Sequence, residues 1–326
     1  MWQVLCNKSA IIERSKLYNQ IRIFFAERDV LEVETPLLSP ATVTDPFIDS
    51  FEVFGAKDSQ KKNKLYLQTS PEFCMKRLLC CNTGSIYQIC KAFRSEEDGR
   101  KHNKEFTMLE WYRVGYKLDG LMDEVGTLLS NILQLTQQKI KKYTYQQLFK
   151  EYFNFDCYQV DIDFLKNQLL ALDQEQYITL LSDPDFNNNY TADDLLMILL
   201  CDYIESRFPK DTLIFLYDYP PTQAALAKID TTQQYPVAKR FEVYFNGMEL
   251  ANGYYELADS QEQKTRYEKD LAKRKKLNFP SIVTDSNLIA ALESGLPDCS
   301  GVAMGLDRLL MLKLGTSNIE DVLTFR

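Results

Sequence analysis

FRSEEDGRKHNKEFTMLEWYR, residues 93–113, is the stretch whose reading decides the fold. Phe93–Glu96 and Phe106–Tyr112 supply the aromatic and bulky residues of two strands. Between them, Glu97–Asn103 is too polar to bury and too long for a tight turn. Alternation along a strand puts Arg94 and Glu96 on one face, and Phe106, Met108 and Glu110 on one face of the return strand. The predicted hairpin therefore offers a guanidinium, carboxylates and an aromatic ring on one surface. That suits a ligand combining a phosphate with a flat heterocycle. The plain alternative is an ion-paired, solvated sheet face, and taken alone the hairpin favours it.

Outward from the hairpin, IYQICKAF leads into it as a strand, preceded by Gly84 and a helix through FCMKRLLCC. Ser70 is a good N-cap for that helix, with Pro71 as its first residue and Glu72 in its first turn. Phe47–Phe54 and Lys64–Gln68 read as strands around a polar loop. Further upstream, Ile11, Leu17, Tyr18, Ile21, Phe24 and Phe25 recur at helical spacing, and VLEVET follows as a strand stopped by Pro36. Downstream, Asp119–Gln138 is an amphipathic helix. Residues 144–208 are helix-rich, with capping pairs Thr144–Gln147 and Thr191–Asp194 and a loop at the FNNNY tract near Asn187. They carry no catalytic signal and read as a helical insertion in a single domain spanning 1–326. Leu213–Tyr217, RFEVYFN (Arg240–Asn246) and ELANGYYEL (Glu249–Leu257) are strands, and Ser260–Lys276 and Asn287–Glu293 are helices. Antiparallel strands interleaved with helices predict an α+β fold. Neither G-x-G-x-x-G nor G-x-x-x-x-G-K-[ST] is present, so a nucleotide would bind by another route.

The chain of 326 residues is 45% hydrophobic, enough for a large core. Its 46 acidic and 38 basic residues give a net charge of −8, with no broad basic footprint for nucleic acid. No run of about 20 apolar residues would span a membrane, and MWQVLCNKSAIIERSK lacks the layout of a secretion signal. A cytosolic protein with reduced, buried thiols is expected, since none of the eight cysteines forms a C-x-x-C pair. The single histidine, His102, argues against a zinc site and against histidine-dependent nucleophilic catalysis. Chemistry here has to run on carboxylates, arginines, lysines and a metal–phosphate.

Three stretches stand in a telling order: the helix–strand ending at Pro36, the F-R-x-E hairpin, and G-x-x-x-G-x-D-R at Gly301–Arg308. Together they resemble motifs 1, 2 and 3 of the class II aminoacyl-tRNA synthetases, over essentially the whole chain. LEVETP, SPEFCMKRL, HNKEFTMLEWY and ELANGYYEL look most like the lysyl-tRNA synthetase catalytic domain. The chain leaves no room for that enzyme's anticodon-binding barrel, and so resembles the elongation factor P–(R)-β-lysine ligase family, which VLEVETP, ATVTD, FTMLEWYR, RFEVY, ELANG and PDCSGVA also fit. It departs from that pattern at Ser95 (Asn expected), Lys104 (Pro expected) and Tyr254-Tyr255 (Phe-His expected). These departures put substrate detail in doubt, not the class.

The resemblance implies an ATP- and Mg²⁺-dependent ligase that activates β-lysine as an adenylate and transfers it to a lysine of elongation factor P. It further implies a homodimer and no stable tRNA binding. Arg94 would hold the α-phosphate and the attacking carboxylate, and Arg308 the γ-phosphate; a planar guanidinium suits both tasks. Glu96 would accept from the adenine amino group, Phe106 would stack on the ring, and Asn103 would lie along the nucleotide. Ser95, Leu250 and Gly305 complete the expected nucleotide contacts. Glu249 and Glu256 are expected at the phosphates and amines as Mg²⁺ ligands, against the plain reading of surface acids flanking a turn. Ser70, Pro71, Glu72, Tyr112 and Glu256 match the family's substrate positions. Ala251 and Ala303 replace glycines of lysyl-tRNA synthetase, and their methyls are expected to narrow the pocket against α-lysine, with neutral packing drift as the alternative. Two other functions stay open: an enzyme charging tRNA or another small acceptor, and a non-catalytic synthetase-like regulator.

Overall fold

The computed structural model describes residues 3–57, 62–183 and 190–326. It divides the chain into two compact units, one of Met1–Thr136 with Leu250–Arg326 and one of Gln137–Glu249. The first unit opens with helix α1 (Lys8–Ala26), capped by the Asn7 side chain, which accepts from Ala10 N. Short strands β1 (Leu31–Glu32), β2 (Leu38–Ser39), β3 (Glu52–Val53) and β4 (Leu65–Leu67) follow. Helix α2 (Glu72–Cys80), strands β5 (Ile86–Phe93) and β6 (Glu105–Val114) and helix α3 (Leu118–Leu133) complete its N-terminal part.

The second unit comprises β7 (Ile140–Thr144), helices α4 (Tyr145–Phe153), α5 (Ile162–Ala171), α6 (Glu175–Ser182) and α7 (Ala192–Ile198), and strands β8 (Leu213–Tyr219), β9 (Ile229–Asp230) and β10 (Val237–Phe245). β7 runs parallel to β8, while β10 is antiparallel to β8 and β9. Both predicted capping boxes, at Thr144 and Thr191, are formed. The core gathers Tyr145, Leu148, Phe149 and Leu195 from the helices and Ile214, Leu216 and Tyr244 from the strands. The helix-rich 144–208 stretch thus sits in a wider unit that includes its own strands; the tract near Asn187 lies outside the described residues.

The chain re-enters the first unit within β11 (Met248–Tyr255), followed by α8 (Ser260–Lys276), α9 (Ser286–Ser294), β12 (Cys299–Gly305) and α10 (Leu306–Leu314). In the first unit's sheet, β5, β6, β12 and β11 run antiparallel in that order, and β1 joins β5 in parallel. β2, β4 and β3 form a small antiparallel sheet beside it. The two faces of the large sheet differ sharply. One buries Leu109 and Trp111 against Phe25, whose ring lies 5.4 Å from the indole. The other packs near Tyr112 against Met75, Leu79 and Leu288 of α2 and α9. Farther along that face Glu110 and Met108 are buried and Phe106 is half-buried.

Two local expectations change. Pro71, not Ser70, occupies the N-cap of α2, and the Ser70 hydroxyl instead accepts from Glu72 N at 3.3 Å. Ile11 is exposed, because Leu17, Ile21, Phe24 and Phe25 already fill the buried stripe of α1. The thiols are all free, though Cys81 and Cys201 are exposed.

Candidate active site

Register decides which side chains share a surface. Glu110 stands opposite Gln88 on one side and Ala303 on the other, and Ala303 opposite Asn252. Tyr112 faces Gly301, which faces Tyr254. Directly opposed residues project to the same face, and period-two alternation adds Phe106 and Met108 to it. Ala303, Gly301, Glu110, Tyr112 and Phe106 are thus brought together. Ala251 is not: it stands opposite Met304, on the other face, and is buried there. The expectation placed both alanines at one pocket; the register puts Ala303 alone on the face of Glu110.

At the hairpin end, Arg94 lies just past β5, with its amide bonded to Lys104 O at 2.9 Å. Its guanidinium sits 5.2 Å from the centre of the Phe106 ring and 2.8 Å from Glu97 Oε1. The ion-pair partner is Glu97, not Glu96, because the chain leaves strand geometry after Phe93; Glu96 is exposed and takes a bond from Ser95 Oγ. Arg94 Nε is buried without a hydrogen-bond partner among the described residues, a donor that an anion would satisfy. Arg308, in the first turn of α10 after Gly305, reaches the hairpin loop, contacting His102 Nε2 and donating to Lys101 O. Burial first, and then the Arg308 charge, push the His102 pKa down, which keeps the ring neutral and able to accept. Asn103 turns elsewhere: it donates to Glu105 O at 2.7 Å and lines a cleft of about 740 Å³ with Glu105 and Thr107, residues of the face opposite Phe106.

Arg308 is placed by its neighbour. Asp307 is buried, accepting from Arg14 Nη2 and from Thr107 N, each at 2.6 Å. One carboxylate thus ties α10 to α1 and β6.

Toward Tyr112 the chemistry turns acidic. Lys76 is fully buried, with Nζ 2.7 Å from Glu72 Oε1 and 2.7 Å from Glu256 Oε2. Tyr112 OH donates to Glu110 Oε1 at 2.6 Å, and Glu110 Oε2 is buried with no partner among the described residues. Burial, the largest cause, pushes Glu110 up to about 8, with the charges of Glu72 and Glu256 adding to it. Burial likewise pushes Glu256 up to about 7, although Lys76 and the Gly301 N–H oppose the rise. Gly301 is required here: a Cβ on it would overlap the Tyr112 ring and lie 2.6 Å from Glu256 Oε1.

The Mg²⁺ expectation does not fit Glu256. Its carboxylate is committed to a buried lysine, and burial favours its neutral form, whereas Mg²⁺ wants ionised, accessible oxygens. Among the described residues no group of three or more His, Cys, Asp or Glu is arranged to hold a metal. Glu249 ends the second unit, where burial first, then the Glu242 charge and last that of Glu249 push the Glu205 carboxyl up to about 7; Leu250 is buried. Sequence reasoning gave no role to Lys76, Glu97 or His102. Only Lys76 had a signal, its four-residue spacing from Glu72, which puts both on one helix face.

Residues 6–326 match the family model of the class II tRNA synthetases (D, K and N). The chain is 43% identical to an elongation factor P–(R)-β-lysine ligase of Proteus mirabilis over 325 residues. It is 45% identical to one of Hamiltonella defensa and 44% to one of Salmonella paratyphi A. Each alignment covers 99% of this chain and 97% of the relative.

Proposed function

The chain belongs to the class II tRNA synthetase family (D, K and N), and from that premise we propose that it is an ATP-dependent ligase that activates (R)-β-lysine and attaches it to a lysine of elongation factor P. The observation that carries this reading is the buried Glu72–Lys76–Glu256–Glu110 cluster on the same sheet face as Arg94 and Phe106. A buried acidic cluster suited to amines lies along β6 from a guanidinium and an aromatic ring. The relatives named above carry this activity in their names.

In the first step a carboxylate oxygen of the amino acid attacks the α-phosphorus of ATP, and the bond to the bridging oxygen breaks to release pyrophosphate. Both reactants are anions, so Arg94 works by neutralising charge at the new bond and Arg308 by holding the departing phosphates. No base is needed, since the attacking carboxylate is already ionised near neutral pH. Phe106 would stack on adenine. Ser70, Glu72, Tyr112 and Glu256 would hold the amines, an unpaired buried ammonium being costly. In the second step the acceptor lysine amine attacks the activated carbonyl, AMP leaves, and the amine loses a proton. The assignment of Glu249 to the phosphates and their Mg²⁺ rests on sequence resemblance.

A homodimer is supported by exposed apolar residues on α1 and the following strands, among them Ile12, Ile23, Leu31 and Leu38. No described helix is long and apolar enough to cross a membrane, in keeping with a cytoplasmic acceptor. The test incubates the protein with ATP, Mg²⁺ and β-lysine, with elongation factor P in one tube and total tRNA in another. A mass increase of the protein acceptor supports the proposal. Charged tRNA or absent ATP consumption overturns it.

A further inference from the structure

Lys76 has no evident reason to be where it is. A lysine four residues from a glutamate on a helix belongs at the surface, where such a pair adds a few tenths of a kcal/mol. Here the ammonium is buried between Glu72 and Glu256, and buried ion pairs rarely stabilise a fold more than well-packed apolar side chains do. The surroundings are built for more cations than Lys76 supplies. Glu110 approaches from β6 and Glu256 from the end of β11, while Tyr112, the Cys299 thiol and the Gly301 N–H border the cluster from β6 and β12. Tyr267 of α8 borders it too, and its hydroxyl, like Glu110 Oε2, is buried with no partner among the described residues. Three carboxylates surround one ammonium. Unliganded, burial favours protons on Glu110 and Glu256; beside the two ammonium groups of a diamino acid the three carboxylates ionise, and the two negative charges that Lys76 leaves unbalanced equal the two charges the guest brings.

We propose that Lys76 is the resident counter-ion of the amine site: a positioning residue whose ammonium holds Glu72 and Glu256 in register and sets the remaining charge of the cluster to match a dicationic amino acid. The inference deepens the proposed function and rests on it for the identity of the guest. Without Lys76, Glu72 and Glu256 would repel one another, and one would swing away or take up a proton. The guest would then meet a misaligned, undercharged recess. Loss should fall on substrate binding and leave the phosphate end, around Arg94 and Arg308, unaltered.

The test is chemical rescue of Lys76→Ala, which leaves a cavity the size of a small alkylammonium. In ATP–pyrophosphate exchange the variant should show KM for β-lysine raised about tenfold or more, with kcat within about threefold of the wild type. Ethylammonium should restore KM and raise the Tm of this variant alone; ethanol, a neutral filler of similar size, should do neither. An unchanged KM, a fall confined to kcat, or equal rescue by ethanol overturns the proposal. Should Lys76→Ala not fold, the pair Lys76→Arg and Lys76→Gln decides: the charged variant must keep KM near the wild type and the neutral one must lose it. If the wild type activates no diamino acid, the proposed function falls. The thermal arm then decides for the counter-ion separately: a Tm rise with ethylammonium keeps it, and none removes it.

Discussion

Gly301→Ala addresses the proposed amine site directly, with a single added methyl. The added methyl would overlap the ring of Tyr112 and stand 2.6 Å from Glu256 Oε1, against an ordinary carbon–oxygen contact of about 3.4 Å or more. Neither neighbour is the loose end of a flexible chain. Tyr112 is packed beneath Met75, Leu79 and Ile86 and tied by its hydroxyl to Glu110. Glu256 is held by Lys76 and by the Gly301 N–H. Relief therefore demands a shift of roughly 1 Å in a close-packed site, and overpacking of this kind costs about 1–3 kcal/mol. If that cost falls on substrate binding, KM for β-lysine rises by about 5- to 150-fold, at 1.4 kcal/mol per decade. KM for ATP should stay within about threefold of the wild type, since Arg94 and Phe106 lie at the other end of β6. The assay is ATP–pyrophosphate exchange at varied β-lysine and ATP, with a melt to follow Tm. A folded Gly301→Ala protein with wild-type KM for β-lysine would falsify the placement of the amine site.

Further outcomes are expected. Ala303→Gly should raise α-lysine activation relative to β-lysine by about 1–3 kcal/mol in the ratio of kcat/KM, while Ala251→Gly, on the other face, should leave the ratio unchanged; an unmoved ratio for Ala303→Gly sinks the pocket argument. Arg94→Ala should lower exchange by about 10²–10³-fold with Tm kept, and residual activity near wild type would remove it from the phosphates. Glu110 and Glu256 bind protons in the folded, unliganded protein up to about 8 and about 7 but, unfolded, only up to the ordinary carboxyl range near 4.3. The folded chain therefore holds more protons across that window, and stability drawn from the pair is lost as pH rises through 7–8. Melts from pH 5.5 to 9 should show the decline, and Glu110→Gln should flatten it. Asp307→Ala takes the acceptor from the Thr107 amide and one of the acceptors from Arg14, which keeps Val322 O and Tyr18 OH, and should cost about 1–3 kcal/mol in denaturant unfolding; a cost under about 0.5 kcal/mol would contradict the network described.

What the sequence makes legible is whatever one short segment determines. The alternation Phe106, Met108, Glu110, Tyr112 gives a face because β6 is regular along its length. The three motifs give the class because their order survives any error in element boundaries. Lys76 is only partly legible: its spacing pairs it with Glu72, but nothing local distinguishes a helical lysine facing solvent from one buried between two carboxylates. Glu96 and Glu97 are interchangeable in a string, and the end of β5 at Phe93 decides between them. Ala251 and Ala303 look equivalent as replacements of glycine, yet the register of β11 against β12 turns them to opposite faces. Register between strands 52 residues apart is a property of the assembled sheet.

The two arginines proposed to hold the phosphates already have company. Arg94 rests on Glu97 and Arg308 on His102, both from the loop between β5 and β6. On the proposed reading, binding ATP would be an exchange of partners, its affinity net of the two contacts broken. A triphosphate would replace a carboxylate and a neutral imidazole together, whereas AMP or inorganic phosphate, engaging one arginine, would displace that arginine's partner with less charge to replace it. On that reading the loop would set a threshold for binding, favouring a ligand that reaches both arginines. Glu97→Gln lowers that threshold, and tighter AMP binding by this variant, followed by calorimetry, would reveal it.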